Sequence, residues 1–579
     1  MTLLVPGSLR TASVLALALS AAAASGAPPF PAAPPAAAPA PVVAHVPAAA
    51  ELAAAARIRP GAIRAHVKFL ASDLLEGRAP ASRGDRLAEA YIAAQMEAAG
   101  LLPAGENGSY YQPVEIIGVR SRVESPLTFS GAGGKIALSQ LDESMSFAGL
   151  PLPDVKLEDV PVVFVGYGIV SPEYAWDDFK GVDVKGKVLL VMNNDPDDDP
   201  ALFAGKTRLY YGRWTYKYEQ AARMGAIGAV IIHTPESAGY AWSVVRNSWD
   251  GERFTLEEEP EGALPLKAWT TEEASKRLAK LGGFDLDELL RKAKQRDFRP
   301  VPLGVTVSVA IRSEVRKTRT ANVIGKVAGG DPAHAGEAVV FTSHHDHLGM
   351  KADAGPGEDA IYNGAVDNAS GVAELLEVAR ATASLRAPPA RSVYFAAVAA
   401  EEQGMLGSLA LAARPPVPVA KLAACVNVDS INVFGKTTDL SVSGFGRTTI
   451  DADILAVAAM QGRSVAADRH PESGGYYRSD QFSFAKVGVP AVYLGGGSDF
   501  VVNPEETKKA AREFGRKNYH QPSDEYHDSW DLSGAIDDAR LAFHVTLRIA
   551  SSAATPEWKP ADEFAAVRKA SLEAAAGSK

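Results

Sequence analysis

The chain has 579 residues, 47% of them hydrophobic and 22% charged, with a formal net charge of -10. That length exceeds what one core holds and calls for two or three folded units. The acidic balance lacks the clustered Lys and Arg on which nucleic-acid binding rests, so no nucleic-acid partner is expected.

Arg10 precedes an Ala-rich apolar run over residues 12–24 that includes Val14, Leu15, Leu17 and Leu19, and Ser25, Gly26 and Ala27 follow it. This reads as a signal peptide over residues 1–27. The run is too short for a permanent membrane anchor. An exported protein is expected, periplasmic or extracellular. The single cysteine, Cys425, forms no internal disulfide, which suits a bacterial periplasm; within an apolar run it reads as a small core residue. Residues 28–55 are dominated by Ala and Pro and read as a linker.

Residues 56–150 carry two helical patterns. Ile63, Val67, Leu70 and Leu74 form one; Leu87, Tyr91 and Ala94 form the other, with Gly100 as its stop. Residues 151–300 change texture, with short strands expected at 162–166, Val188–Met192 and 229–232 and a helix at 216–224. The acidic run at 195–199 reads as a solvated loop, and His233 as a surface histidine. From Arg319, apolar runs at 339–343, 393–399, 422–428 and 489–494 alternate with helical segments. Strands buried on both faces and separated by helices predict a mixed, mostly parallel α/β sheet flanked by helices. This core is expected over residues 301–555, with a tail at 556–579.

Ligands of open α/β sheets bind beyond the carboxyl ends of the strands. Three expected strands end in ionisable residues: His344-His345-Asp346-His347, then Glu401-Glu402, then Asp429. Burying such groups is costly unless they are paired or bind metal. Asp367 and Asn368 open a helix, where either serves as an N-cap or a ligand. His520 lies in a loop far downstream. Two His with three or four carboxylates suit zinc. They are too many for one tetrahedral ion, and they suit two ions bridged by a carboxylate. Of the Glu pair, one residue binds metal and the other takes a proton from water.

His344-His345-Asp346-His347-Leu348-Gly349, residues 364–371, Glu401-Glu402-Gln403-Gly404 through Ser408, Asn427-Val428-Asp429 and Tyr519-His520 together resemble the zinc aminopeptidase and glutamate carboxypeptidase family. The resemblance implies a zinc-exopeptidase fold with two zinc ions per chain. His344 and Asp429 would hold one, Glu402 and His520 the other, and Asp367 would bridge. Glu401 would be the general base, Asp346 would fix the His344 ring, and Tyr519 would donate to the oxyanion. Asp524 is expected to brace the His520 loop or to sit as a turn residue. His345 and His347 are read as non-ligands. Gly166-Tyr167-Gly168 and Gly186-Lys187-Val188 resemble an inserted protease-associated domain at 151–300.

The implied activity is aminopeptidase cleavage of a peptide substrate. The alternatives are a carboxypeptidase acting on acidic C-terminal residues, a single-zinc glutaminyl cyclase and a non-catalytic receptor-like protein. An arginine cluster in the pocket would hold a substrate carboxylate, whereas an acidic group would hold an amine.

Overall fold

The structure, a computed structural model, describes residues 43–249, 251–258, 263–351, 354–466, 468 and 470–577. The expected signal peptide (1–27) and the first part of the expected linker lie outside them. The elements that matter for the site begin with helices α1 (Ala49–Ala55), α2 (Pro60–Leu70) and α3 (Arg83–Ala98). Strands β1 (Tyr111–Gly131), β2 (Ser144–Ala148), β3 (Asp154–Phe164), β4 (Val188–Met192), β5 (Gly228–His233), β6 (Glu252–Leu256) and β7 (Leu266–Thr271) follow. Then come β8 (Val301–Val327), β9 (Ala338–His344), helix α4 (Gly371–Ala383), β10 (Ser392–Val398) and β11 (Leu422–Asn427). The last are β12 (Asp439–Ser443), β13 (Ser464–Ala466), β14 (Ala491–Gly495), and helices α5 (Ser533–Ser551) and α6 (Ala565–Gly577).

Among the described residues one sixteen-stranded sheet takes the order β13-β12-β14-β11-β9-β10-β8-β3-β4-β5-β7-β2, with β1 beside β8, β6 beside β1, and two short strands, Leu102–Pro103 and Gly134–Ala137, beside β8 and β1. Strands β14, β11, β9 and β10 run parallel to one another. Their apolar runs have no polar alternation because both faces are covered. Val339 and Phe341 of β9 point into a core shared with α2, α3, α4 and α5, while Ala338 and Val340 point into the core on the other face. Cys425 is fully buried here.

The second half of the sheet is carried by the two longest strands. β8 pairs with β10 through residues 323–327 and with β3 through residues 301–312, while β1 runs antiparallel along it. A run of apolar residues does not identify these strands, because β8 alternates buried and exposed positions over its first half. β2 pairs with β7. The segment expected to close the N-terminal part at residue 150 therefore already belongs to this second half.

Both ends of the chain are more ordered than their composition suggests. α1 lies inside the stretch read as linker, and its Glu51, Ala54 and Ala55 are buried. Glu51 accepts hydrogen bonds from His45 (2.7 Å) and from His544 of α5 (2.6 Å). In the region read as a tail, Arg568 of α6 is buried and donates to the carbonyls of Val419 and Leu422. His233 also departs from the sequence reading, being 3% exposed with its ring against the Tyr240 carbonyl. Asp195 is buried, and only the later part of its acidic run meets solvent. Among the described residues, no helix is long and apolar enough to cross a membrane.

Candidate metal centre

Three parallel strands deliver their carboxyl ends to one point, and two loops close over it. β9 ends in His344, β10 runs on into Glu401 and Glu402, and β11 runs on into Asp429. Asp367 comes from the turn before α4, and His520 from the loop before α5. Asp367 and Asn368 divide the two roles that the sequence left open. Asn368 Oδ1 accepts the N–H of Gly371, the first residue of α4, and also the N–H of Ser430. That frees Asp367 to face the histidines. The turn needs glycine at Gly364: its φ is +55°, and a Cβ there would lie 2.6 Å from the His347 ring.

The distances divide the site into two triads. His344 Nε2 lies 3.2 Å from Asp429 Oδ1 and 3.3 Å from Asp367 Oδ1. His520 Nε2 lies 3.2 Å from Asp367 Oδ2 and 3.2 Å from Glu402 Oε2. Two donors at about 2.0–2.1 Å from a tetrahedral zinc stand roughly 3.3 Å apart. All four separations match that spacing. The donor chemistry, imidazole and carboxylate, also suits zinc.

His347 belongs to this cluster, although the sequence reading set it aside. Its Nδ1 lies 2.7 Å from Glu402 Oε1. That is an ordinary hydrogen-bond length, shorter than the ligand spacing, so His347 holds Glu402 Oε1 while His520 meets Oε2; the two rings lie 5.7 Å apart, and His347 also groups with Asp367 and Glu402 as donors close enough to share an ion. His345 turns away and bonds Asp85 Oδ1 at 3.1 Å in a separate buried cluster with Glu89.

The supports of the cluster are built from backbone and buried polar groups. Asp346 accepts the N–H of Glu401 (3.0 Å) and of Glu402 (3.3 Å) through its two oxygens. Its carboxylate is 3.7 Å from His344 Nδ1, while its own carbonyl oxygen is nearer, at 3.3 Å. Asp346 thus fixes the Glu pair as much as the His344 ring. Asp524 accepts the N–H groups of Val366 and Asp367, tying the Asp367 turn to the loop that carries His520. Ser479 donates to Asp429 Oδ2 at 2.7 Å, and the Tyr493 hydroxyl donates to the Asp429 carbonyl. Behind them Arg78, 1% exposed, donates to the carbonyls of His345, Leu70, Asn363 and Gly364. No sequence pattern gave Arg78 or Tyr493 a part in the site, because their partners are distant in the chain.

Charge is concentrated here. Burial opposes ionisation of Asp367, yet hydrogen bonds from His344 and His520 hold it well below the usual carboxylate range. Burial and Asp367 push Glu402 up, but His520 and His347 hold it down at about 2. Against burial, Glu402 and Asp367 lift His520 to about 10. The imidazoles supply the positive charge that a metal cation would supply. Glu401 differs: burial and then the neighbouring Glu402, Asp429 and Asp480 carboxylates raise it well above its ordinary value, against the pull of His344. Its Oε2 stands 4.0 Å from His344 Nε2, outside both triads.

Glu401, Glu402 and Tyr519 line a cavity of about 1160 Å³ whose opposite wall comes from the second half of the sheet, including Phe147, Arg213 and Lys267. Tyr519 is 61% exposed at the rim, its ring stacked on His520 with centroids 3.9 Å apart. Tyr477 and Arg478 also line the cavity, whereas Tyr476 packs under Arg447.

Residues 322–544 match peptidase family M28. Leucine aminopeptidase 2 of Arthroderma otae is 29% identical over 231 residues, which is 38% of this chain and 43% of that protein. Its counterpart from Trichophyton rubrum is 29% identical over 233 residues, again 38% and 43% of the two chains. The chain thus spans less than half the length of the curated relatives it matches. Among solved structures, an aminopeptidase from Aneurinibacillus sp. strain AM-1 has a TM-score of 0.48 at 20% identity, covering 88% of this chain and 98% of that one. A zinc aminopeptidase of Bacillus subtilis has a TM-score of 0.41 at 16% identity, covering 86% and 97%. The stretch that matches peptidase family M28, residues 322–544, contains all five residues of the two triads.

Proposed function

We propose that the protein is an exported aminopeptidase that holds two zinc ions per chain and removes N-terminal residues from peptides. The observation that carries this reading is the pair of triads sharing Asp367, each with donor separations of 3.2–3.3 Å. The curated relatives' name, leucine aminopeptidase, supports the choice of the amino terminus over the carboxyl terminus. Export is supported by the apolar run and the small residues that follow it at the start of the sequence. Residues 151–300 are read as a protease-associated insertion, whose elements form the wall facing the triads.

His344 and Asp429 would hold one ion, Glu402 and His520 the other, with Asp367 shared. When bound, the metals supply Lewis acidity toward the scissile carbonyl and lower the pKa of a water. Glu401 would take a proton from the attacking water and deliver it to the leaving amine. Its carboxylate lies beside the triads and outside both, 4.0 Å from His344 Nε2, where it is free to exchange a proton. Asp346 positions Glu401 and Glu402 through their backbone N–H groups. Tyr519 stands at the rim as the hydroxyl donor toward the developing oxyanion.

The test is a panel of dipeptides with the amino or carboxyl end blocked, assayed with and without a chelator. Chelator-sensitive cleavage of C-blocked, free-amine substrates is expected. Cleavage of N-blocked but not free-amine substrates would refute the reading.

A further inference from the structure

β6 is a five-residue strand that pairs along one edge with β1, Glu252 opposite Arg120 and Leu256 opposite Ile116. Among the described residues it has no strand on its other edge. Glu257, just past its end, donates its N–H to the Glu115 carbonyl of β1. Successive residues of a strand turn their N–H and carbonyl groups to opposite edges, so Phe254 and Leu256 turn theirs away from β1. The Phe254 N–H reaches the Gln403 side chain instead, 3.4 Å from Oε1. That is longer than the usual length of about 2.9–3.0 Å, so the donor is loosely held and open to a better acceptor.

This edge lies beside the metal centre. Gln403 follows Glu402 in the chain, and residues 253–257 line the same cavity as Glu401, Glu402 and Tyr519. Burial pushes Arg253 of β6 down to about 10 while the Glu402 carboxylate pulls the other way, which puts the strand within reach of a residue of the second triad. The strand is also anchored from behind. Arg316 of β8 holds Glu252 at 2.6 and 3.0 Å, and Lys317 pairs with Glu257. The Phe254 ring lies over Gly118, where a Cβ would stand 3.1 Å from its Cε1. Phe254 and Leu256 pack against a small core of Val114, Ile116, Ala400 and Leu406. An unpaired strand edge is ordinarily a liability that proteins cover. Here it is fixed in place along a cavity wall, where the extended main chain of a peptide can pair with it as an added strand.

We propose that β6 is a main-chain rail: the peptide downstream of the scissile bond lies along its open edge and exchanges N–H and carbonyl hydrogen bonds with Phe254 and Leu256. This rests on the aminopeptidase reading of the metal centre. Backbone pairing reads length and extension and ignores side chains, so the enzyme favours longer unstructured peptides of varied sequence over dipeptides.

The zinc-loaded protein is assayed by leucine release from Leu-Ala-amide and from Leu-Ala-Ala-Ala-Ala-amide. The longer peptide should have the higher kcat/KM by about tenfold or more, the size of two net backbone hydrogen bonds. Its amides at the third, fourth and fifth residues are then replaced one at a time by esters, which removes an N–H without adding bulk. A loss of about fivefold at one position with none at its immediate neighbour is expected, because alternate residues of an added strand face the rail. L256P removes an outward N–H and spares the pairing with β1; it should bring the ratio of the two peptides toward one. Equal kcat/KM for the two peptides, no loss or equal losses at adjacent ester positions, or a ratio unchanged in L256P would overturn the rail.

If neither peptide releases leucine, the aminopeptidase reading has failed and the rail is read by binding. Hydrogen exchange in residues 252–256 of the zinc-loaded protein should slow when the intact longer peptide is added. Exchange that the peptide leaves unchanged would overturn the rail independently.

Discussion

Asp367 offers its two carboxylate oxygens to different histidines, Oδ1 at 3.3 Å from His344 Nε2 and Oδ2 at 3.2 Å from His520 Nε2. Sharing one carboxylate couples the two triads. Asp367→Asn keeps the size of the side chain and removes the anion, so both triads should weaken together. Elemental analysis of purified D367N is expected to find less than one zinc per chain with the fold intact. Full metal content would mean that Asp367 only shapes the turn.

Glu401 stands outside both triads, so its loss should separate chemistry from metal binding. E401Q is expected to lower kcat by about 10²–10⁴-fold, the contribution of a positioned general base. Its zinc content should equal that of the parent. Parallel loss of zinc and activity would place Glu401 among the ligands instead.

Arg78 gathers the carbonyls of Leu70, His345, Asn363 and Gly364 behind the centre. R78M keeps the apolar stem and orphans four buried acceptors. A loss of about 3–5 kcal/mol in unfolding free energy is expected from removing a buried charged partner, read from urea midpoints. Zinc affinity should fall too, because the segments bearing His345 and Gly364 flank His344 and Asp367. A change within about 0.5 kcal/mol, typical of an unimportant surface site, would contradict this.

The tether of α1 depends on pH. Burial pushes Glu51 up, but hydrogen bonds from His544 and His45 leave it below its ordinary value of 4.5. A depressed carboxyl stabilises the fold above its unfolded value and loses that contribution as pH falls through the folded one. Hydrogen exchange in residues 49–55, corrected for intrinsic rates, should therefore be slower in the parent than in E51Q at neutral pH. The difference should shrink as pH falls below 4.5 and vanish once it has passed through the lowered folded value. A difference that persists there would point to packing alone.

The parallel strands were legible because burial on both faces leaves a run with no polar interruption, as in β9 and β11. The residues at their ends were legible for the opposite reason: His344, Glu402 and Asp429 are ionisable groups where a core strand stops. β1 and β8 were not legible, since their half-exposed alternation resembles many loops and their pairing spans nearly two hundred residues. α1 was hidden by an Ala-rich composition that also describes linkers; only its contact with His544 makes it a helix of the core. His347 was read as a non-ligand, and spacing could not say that it, and not His345, turns inward to the Glu402 carboxylate. Its 2.7 Å contact with Glu402 is a tertiary fact.

The central claim is that the two triads sharing Asp367 bind two zinc ions that both serve peptide cleavage. The direct measurement is to strip the protein with a chelator, titrate zinc back, and follow bound metal and hydrolysis of a leucine amide together. The account predicts no turnover in the stripped protein, binding that saturates at two ions per chain, and full activity only as the second site fills. Full activity at one ion per chain, or turnover that survives the chelator, would contradict it.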